Sequence, residues 1–260
     1  MPTSSKMAGK PLRILMVSSA LPPVVDGIGD HAARMAESLA AMGHSVTCLV
    51  PTGSDYAEIP GVTVKPSWST KVATSVVDAI VAAVGEGIDV VYIHYNPFCY
   101  GKWGRNLALM NIRKRIQEVN PKVKLAVMIH ERHVPLWPWR FTIMSAWQRP
   151  MYASMLKQAD QVFVSTGPWM NDIEQMVRPG VDVTCVPIGS SSGQPRISRT
   201  EARSSRHLPD DVTVVGVFGM PHVSKGVDGL AIILSKTAAE VGPLTLLAVG
   251  GIGKAIPDGI

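Results

Sequence analysis

Alternation of strand-like and helix-like segments is the feature of this sequence that most restricts its fold. Strands are predicted at residues 12–17, 45–50, 62–64, 89–95, 123–129, 161–164 and 181–187. The runs at 89–95 and 123–129 are almost continuously apolar, which is typical of strands buried on both faces of a parallel sheet. Parallel neighbours need a crossover connection, and the segments between these strands are long enough to supply one.

Helical patterns occupy those connecting segments. Apolar residues recur at alternating intervals of four and three from Ile28 to Met42, which indicates an amphipathic helix that stops at Gly43. Further helices are predicted at 70–84, at 104–119, before Gln158 and from Pro168. The sequence therefore predicts an α/β fold, a doubly wound Rossmann-like parallel sheet with right-handed crossovers.

A change of composition predicts the domain organisation. Residues 190–211 are rich in Ser, Arg, Pro and Gln and have few apolar side chains, so we expect a linker there. Residues 1–189 before it are predicted to form a complete domain. After it, residues 212–260 are predicted to contain a strand, a helix and a strand, which is the same alternation as in the first domain. About fifty residues is small for a domain, so we expect only the start of a second lobe.

Composition indicates a globular protein. Hydrophobic residues make up 46% of the chain and charged residues 17%, which excludes the disordered class. No apolar run reaches the roughly 18 residues that span a bilayer, and the first one, 14–17, is too short for a signal peptide. We therefore expect a cytoplasmic protein. The three cysteines lack metal-site or disulfide spacing, so no metal is predicted.

Basic residues are concentrated in the middle of the first predicted domain. The net charge is +5, and residues 102–157 contain eleven Lys or Arg against two acids, which favours anionic partners. Within this stretch, 135–150 combines Trp and Arg in the way of proteins that rest on anionic lipid. A partly buried loop with solvated charges explains the same residues. Nucleic acid is not expected as a partner, because no recognised binding motif accompanies the charge.

Two glycines, Gly27 and Gly29, lie where the first helix opens. There, backbone N–H groups and the helix N-terminus favour an anion such as a phosphate. Glycines that only shape the turn explain the same pattern equally well. The order Gly27-x-Gly29-x-x-Ala32 also fits a dinucleotide-binding pattern, which would predict an oxidoreductase that retains NAD. Nine residues separate residue 17 from Gly27, and the second strand ends without an acid, so we reject this interpretation.

Five short motifs, in order, resemble family 4 glycosyltransferases of the GT-B fold. The segment from Leu21-Pro22-Pro23 to Gly43-His44-Ser45-Val46 is similar to the family's N-terminal signature. Ala159-Asp160 with the strand after it, and Val186-Pro187-Ile188-Gly189, resemble later elements of the first domain. Phe218-Gly219 with Lys225-Gly226, and the segment from Val249 to Gly253, resemble the entry to the donor-binding domain. The resemblance covers nearly the whole chain.

The resemblance implies the transfer of a sugar from a nucleotide-diphosphate donor, usually with retention of anomeric configuration. It implies no cofactor besides this co-substrate and no essential metal. The partners expected are a nucleotide sugar and a glycan or lipid-linked acceptor. A lipid-linked acceptor would explain the aromatic and basic segment, with peripheral contact at the inner face of the membrane.

His130 occupies the position of the family histidine that lies beside the transferred sugar. It follows a predicted central strand, and the carboxyl ends of parallel strands are where such sheets bind ligands. There it is expected to hydrogen-bond the sugar or to balance charge in the transition state. His94, which also ends a strand, and Glu131 are candidates to line the same crevice. A purely structural role remains open for both histidines.

Lys225 matches the family lysine that contacts the donor diphosphate, and Gly226 begins the helix behind it. A cation there stabilises the departing pyrophosphate. Gly219 lies near the same crevice, but Met220 stands where the family usually has Arg. The family's downstream Glu-rich segment does not occur. The alternative hypothesis is therefore a non-catalytic, acceptor-binding module.

Overall fold

The computed structural model describes residues 10–189, 197–219 and 229–256. The chain divides into two compact units, Met1–Ser192 and Gly193–Ile260.

The first unit is built on a sheet of seven parallel strands. Their bounds are β1 Arg13–Val17, β2 Ser45–Pro51, β3 Val62–Trp68, β4 Val90–Tyr95, β5 Lys124–Ile129, β6 Gln161–Val164 and β7 Val183–Cys185. The strand order is β3-β2-β1-β4-β5-β6-β7. This arrangement confirms the predicted doubly wound, Rossmann-like fold class. The order reverses between β1 and β4, and open α/β sheets bind ligands at the carboxyl ends of the strands at such a point.

Helices cover the two faces of this sheet unequally. Their bounds are α1 Gly27–Ala41, α2 Ser75–Gly85, α3 Ile112–Val119, α4 Trp139–Gln158 and α5 Met170–Glu174. Alternate strand residues such as Leu15 and Val127 join one buried cluster with α2, α3 and α4. Their neighbours Met16 and Met128 join a second cluster with α1. The period-two alternation of strand side chains therefore divides the core into two layers.

The predicted helix at 104–119 is shorter than expected. Helix α3 begins only at Ile112, after single 3₁₀ turns at Lys102–Gly104 and Leu107–Asn111. Trp103 and Gly104 both have positive φ angles, of 57° and 71°. This left-handed conformation is incompatible with a continuing α-helix.

Helix α4 extends further back than predicted and contains most of the aromatic segment 135–150. Its buried positions fall at helical spacing, but the first two, Ser145 and Gln148, are polar. The apolar residues Met151, Tyr152 and Met155 continue the same buried face. An apolar periodicity was therefore visible only in the second half of the helix.

The second unit contains a parallel strand pair, β8 Thr213–Phe218 and β9 Leu244–Val249, with helix α7 Leu230–Val241 between them in sequence. A further helix, α6 Arg199–Ser204, lies within the segment predicted as a linker. It opens with a capping box, in which Ser198 and Glu201 each bond the other's backbone N–H. This Ser-x-x-Glu pattern was readable in the sequence. None of the described helices combines the length and apolar character needed to cross a membrane.

Candidate functional site

Two histidines meet at the carboxyl edge of the sheet. His94 is the penultimate residue of β4, and His130 directly follows the neighbouring strand β5. The His130 backbone N–H donates to the Tyr95 carbonyl, which continues the ladder beyond β5. His94 is fully buried, and its Nδ1 lies 2.9 Å from Nε2 of the half-buried His130. Sequence reasoning singled out both residues, and the structure brings them into contact.

A third imidazole, His31, comes from the first turns of α1. Its ring centroid lies 5.6 Å from that of His94 and 5.4 Å from that of His130. One ring nitrogen from each of the three histidines lies within 4.8 Å of the other two. The sequence analysis did not name His31 as a site residue. The available signal was its position early in the helix that follows β1, because this helix begins at the same edge of the sheet.

Burial keeps the three imidazoles neutral near neutral pH. Desolvation lowers the pKa of His94 well below its ordinary value, and the neighbouring His130 and His31 lower it further. Burial, with a contribution from His31, lowers the pKa of His130 to about 4. Burial also lowers the pKa of His31. The cluster therefore offers nitrogen lone pairs and N–H groups rather than positive charge.

The hydrogen bonds of this cluster are incomplete. Among the described residues, the buried Nε2 atoms of His31 and His94 have no hydrogen-bond partner. Buried polar atoms are normally paired, and leaving one unpaired costs about 1–3 kcal/mol. Buried nitrogens without a partner in the protein are typical of sites that bind a ligand.

The N-terminus of α1 is already occupied by a side chain. Asp26 is the N-cap, and its Oδ1 accepts the Gly29 N–H at 2.6 Å. A Cβ on Gly29 would lie only 3.0 Å from the carbonyl carbon and oxygen of Ala20, whereas one on Gly27 would have open space. Gly29 is therefore required by close packing of the chain against itself. A phosphate contact at Gly27 and Gly29 stays a prediction.

Tyr100 fixes the backbone at the point where the strand order reverses. Its buried hydroxyl lies 2.6 Å from the His94 carbonyl and 3.2 Å from the Val17 carbonyl, which are the ends of β4 and β1. Nearby, the Ser19 hydroxyl contacts Cys99 Sγ at 2.9 Å. Burial raises the pKa of the Cys99 thiol to about 11, so this cysteine is protonated. Sequence reasoning missed Tyr100, which supports His94 from below.

A profile of the glycosyl transferase 4-like domain matches residues 26–189, which include all three histidines. The match covers well over half of the chain. This chain belongs to the glycosyl transferase 4-like domain family. The finding confirms the predicted resemblance to family 4 glycosyltransferases of the GT-B fold.

Solved structures agree with this assignment at the level of fold. The glycosyl transferase 4-like chain is similar to sucrose-phosphate synthase from Thermosynechococcus elongatus, with a TM-score of 0.64 and 16% identity over 92% of this chain. It is also similar to the catalytic domain of starch synthase IV from Arabidopsis thaliana bound to ADP and acarbose, with a TM-score of 0.60, 11% identity and 92% of this chain covered.

A third similar structure is the UDP-forming α,α-trehalose-phosphate synthase from Burkholderia xenovorans in complex with glucose-6-phosphate. Its TM-score is 0.54 at 11% identity over 92% of this chain. The chain spans 62%, 69% and 65% of the three structures, in the order given. A search of curated protein sequences gave no significant match.

Four further residues of the glycosyl transferase 4-like chain were predicted as site residues: Glu131, Gly219, Lys225 and Gly226. Glu131 follows His130 and is exposed. Gly219 belongs to the second unit, where it directly follows β8 with a φ of 112° and its carbonyl accepts the Ile252 N–H. Lys225 and Gly226 lie outside the described residues. Their predicted role at the donor diphosphate stays a prediction.

Proposed function

We propose that this chain belongs to a glycosyltransferase that moves a sugar from a nucleotide-diphosphate sugar to a glycan or lipid-linked acceptor, with retention of configuration, and that its first unit is the acceptor-side domain. Its membership of the glycosyl transferase 4-like family supports sugar transfer. The observation that carries the proposal within the chain is the position of His130. It is half-buried at the carboxyl end of a central parallel strand and in contact with a second, buried histidine.

The chemistry of His130 in this proposal is hydrogen bonding rather than charge. Its lowered pKa, about 4, means that the ring carries no positive charge at neutral pH. Nε2 is engaged by His94, so Nδ1 is the atom left for a sugar hydroxyl. His94 then acts as a positioning residue, because its hydrogen bond sets the tautomer and orientation of the His130 ring.

The donor diphosphate is assigned to Lys225 and to the amides around Gly27. A lysine near the leaving group stabilises the charge that develops as the glycosidic bond breaks. At the α1 terminus, the Asp26 carboxylate competes with a phosphate for the same amides, since it accepts the Gly29 N–H. In this proposal the terminus of α1 therefore stabilises the diphosphate less than an uncapped helix terminus would.

Donor turnover tests this function. The purified chain would be assayed for hydrolysis and transfer with UDP-, GDP- and ADP-linked sugars, beside His130→Ala and a control, His207→Asn. His207 is exposed and lies in the second unit. We expect His130→Ala to reduce kcat/KM at least about 100-fold, as loss of a preorganised hydrogen bond does, and His207→Asn to leave it unchanged.

Two results would contradict the proposal. Equal turnover by His130→Ala and the unaltered chain would remove His130 from the mechanism. Acceptor binding by the unaltered chain, without turnover of any donor, would instead support the non-catalytic binding module.

We further propose that the acceptor is lipid-linked and reached at an anionic membrane surface, on the cytoplasmic side. Two segments, 102–105 and 136–140, form what we call the aromatic–basic surface. Trp103, Trp137 and Trp139 are 64%, 80% and 68% exposed. Lys102 Nζ lies 5.5 Å from the Trp103 ring centroid, and the Arg140 guanidinium lies 5.5 Å from that of Phe141. Exposed indoles beside cations are typical of interfacial contact with anionic lipid.

Vesicle binding tests the aromatic–basic surface. We expect the chain to bind vesicles that contain phosphatidylglycerol more tightly than pure phosphatidylcholine vesicles, and to lose this preference at high salt. The double variant Trp137→Ser/Trp139→Ser should bind about 10-fold more weakly, since each indole buries a large apolar area. Met42→Ser is the matched control, because Met42 is 71% exposed but lies outside both segments. Equal binding by the double variant and the control would contradict this proposal.

A further inference from the structure

Three imidazoles from three separate elements converge at the carboxyl edge of the sheet. His31 comes from α1, His94 from β4 and His130 from the end of β5. Sequence separations of 63 and 36 residues divide them, yet one nitrogen of each lies within 4.8 Å of the others. Such convergence brings together ligands that no local motif would reveal.

The donor set matches the requirements of a transition-metal ion. Zn²⁺ bound by three histidines has Zn–N distances of about 2.0–2.1 Å, which places the nitrogens about 3.3 Å apart in a tetrahedron. The shortest observed separation, 2.9 Å between His94 Nδ1 and His130 Nε2, is already near this value. Small ring rotations would bring the remaining pairs closer. Imidazole nitrogens suit Zn²⁺, Co²⁺, Ni²⁺ and Cu²⁺ and disfavour Mg²⁺ and Ca²⁺.

The ring nitrogens of this cluster lack a full set of hydrogen-bond partners, and such nitrogens are available to coordinate a cation. Among the described residues, Nε2 of His31 and Nε2 of His94 are buried without a hydrogen-bond partner. In either direction of the His94–His130 hydrogen bond, one nitrogen of His94 stays unsatisfied.

The three histidines differ in their exposure to solvent. His94 is fully buried beneath the other two rings, but His31 and His130 are each half-buried. Three protein ligands leave a fourth position open for water or another small ligand. The site would thus have a closed side toward the sheet and an open side toward the carboxyl edge.

We propose that His31, His94 and His130 form a binding site for one divalent transition-metal ion of the zinc class. The ion takes one lone pair from each ring. This inference goes beyond the proposed glycosyl transfer, which needs no metal.

Metal binding by the purified, tag-free chain tests the proposal without any assay of activity. The chain would be titrated with Co²⁺, whose visible absorption intensifies in four-coordinate sites, and dialysed against Zn²⁺ before elemental analysis. We expect one ion per chain. His31→Asn and His130→Asn should each weaken binding at least about 100-fold, since even residues that only support a ligand are worth 10- to 100-fold.

Two control variants locate the site. His207→Asn removes an exposed histidine from the second unit, and Cys99→Ser removes the thiol nearest to Ser19. Both should bind the metal as the unaltered chain does. Circular dichroism of His31→Asn and His130→Asn would verify that they remain folded, and two separate variants protect the test against misfolding of one.

Three results would overturn the metal site. These are the absence of stoichiometric binding by the unaltered chain, undiminished binding by folded His31→Asn and His130→Asn, and loss of binding in Cys99→Ser. Donor turnover is measured separately, so failure of the metal site would leave the proposed transfer standing, and the reverse also holds.

Discussion

The Asp160 carboxylate at the amino ends of the strands and the histidines at the carboxyl ends differ in how their polar atoms are paired. At the amino edge, Asp160 precedes β6 and has both carboxylate oxygens paired, one with the Leu125 N–H at 2.9 Å and one with Arg113 at 2.8 Å and Arg178 at 3.2 Å. At the carboxyl edge, His31 and His94 keep buried nitrogens without partners among the described residues. A satisfied network stabilises the fold, whereas an unsatisfied one is available to a ligand.

The largest effect on stability is expected from Asp160→Ala. The change leaves Arg113 and the Leu125 N–H without their acceptor, and hydrogen bonds to charged groups contribute about 1.5–3 kcal/mol each. Because Arg178 is partly exposed, we expect the free energy of unfolding to fall by about 2 kcal/mol in urea titrations. Asp78→Ala, which breaks an exposed ion pair with Arg115, is the matched control and should change little.

The pH dependence of Asp160→Ala sharpens this test. Burial of the carboxyl raises its pKa, but the Leu125 N–H and Arg113 outweigh burial, so the pKa of Asp160 lies below its ordinary value. Its stabilisation is therefore present above the unfolded pKa of about 3.9 and is lost as the pH falls through the folded pKa. The difference between the unaltered chain and Asp160→Ala should shrink below about pH 4. A constant difference down to pH 2 would show that the charge is not what stabilises this edge.

Tyr100→Phe tests the backbone support of the histidine cluster without changing the histidines themselves. The hydroxyl satisfies the backbone at the ends of β1 and β4, so its loss should cost about 1–1.5 kcal/mol of unfolding free energy. Because His94 then loses a support, we expect kcat to fall while KM for the donor changes little. Tyr95→Phe serves as the control, since the buried Tyr95 hydroxyl has no partner among the described residues. Equal losses from the two changes would contradict this interpretation.

Substitutions of Asp26, also at the carboxyl ends of the strands, are expected to have a smaller effect on the free energy of unfolding. Asp26→Ala removes the N-cap of α1 and should cost about 1 kcal/mol in the urea midpoint assay. Asp26→Asn keeps a capping oxygen but removes the negative charge, so it should lower KM for the donor if the phosphates lie at Gly27. An unchanged or higher KM in Asp26→Asn would place the donor phosphates elsewhere.

The smallest effect on stability is expected from His94→Leu. Replacing His94 by Leu loses one hydrogen bond to His130 but also removes a buried unpaired nitrogen, and these two effects on stability oppose each other. The free energy of unfolding should therefore change by less than about 1 kcal/mol. The same measurement on Asp160→Leu should show a loss of about 2 kcal/mol or more. If His94→Leu destabilised the chain as much as Asp160→Leu, the contrast between the two edges would be wrong.

The sequence predicted the sheet because each strand carries its own apolar run. The bounds of two helices were predicted less accurately, because they depend on which residues become buried or change backbone conformation in the folded chain. Helix α4 was underestimated because its first buried positions are the polar Ser145 and Gln148. The helix at 104–119 was overestimated because nothing in the composition shows that Trp103 has a positive φ.

The same limit applies to the candidate site. His94 and His130 were predicted together because both end strands, and parallel strands end at one edge. His31 was missed as a site residue because its approach depends on how α1 is rotated about its axis. That rotation is set by tertiary packing, which a single sequence does not display. The Asp26 cap was missed for a related reason, since Asp at this position fits a turn as well as a helix start.

The close approach of Gly29 to Ala20 has a consequence for His31, two residues further along the same turn of α1. Because Gly29 has no side chain, the backbone of α1 can lie close to Ala20 in the segment after β1. The residue at position 29 therefore sets the distance between α1 and this segment. Any side chain there would push the helix outward and carry the His31 ring away from His94. The distances between the three imidazoles therefore depend on Gly29, a residue that has no side chain of its own.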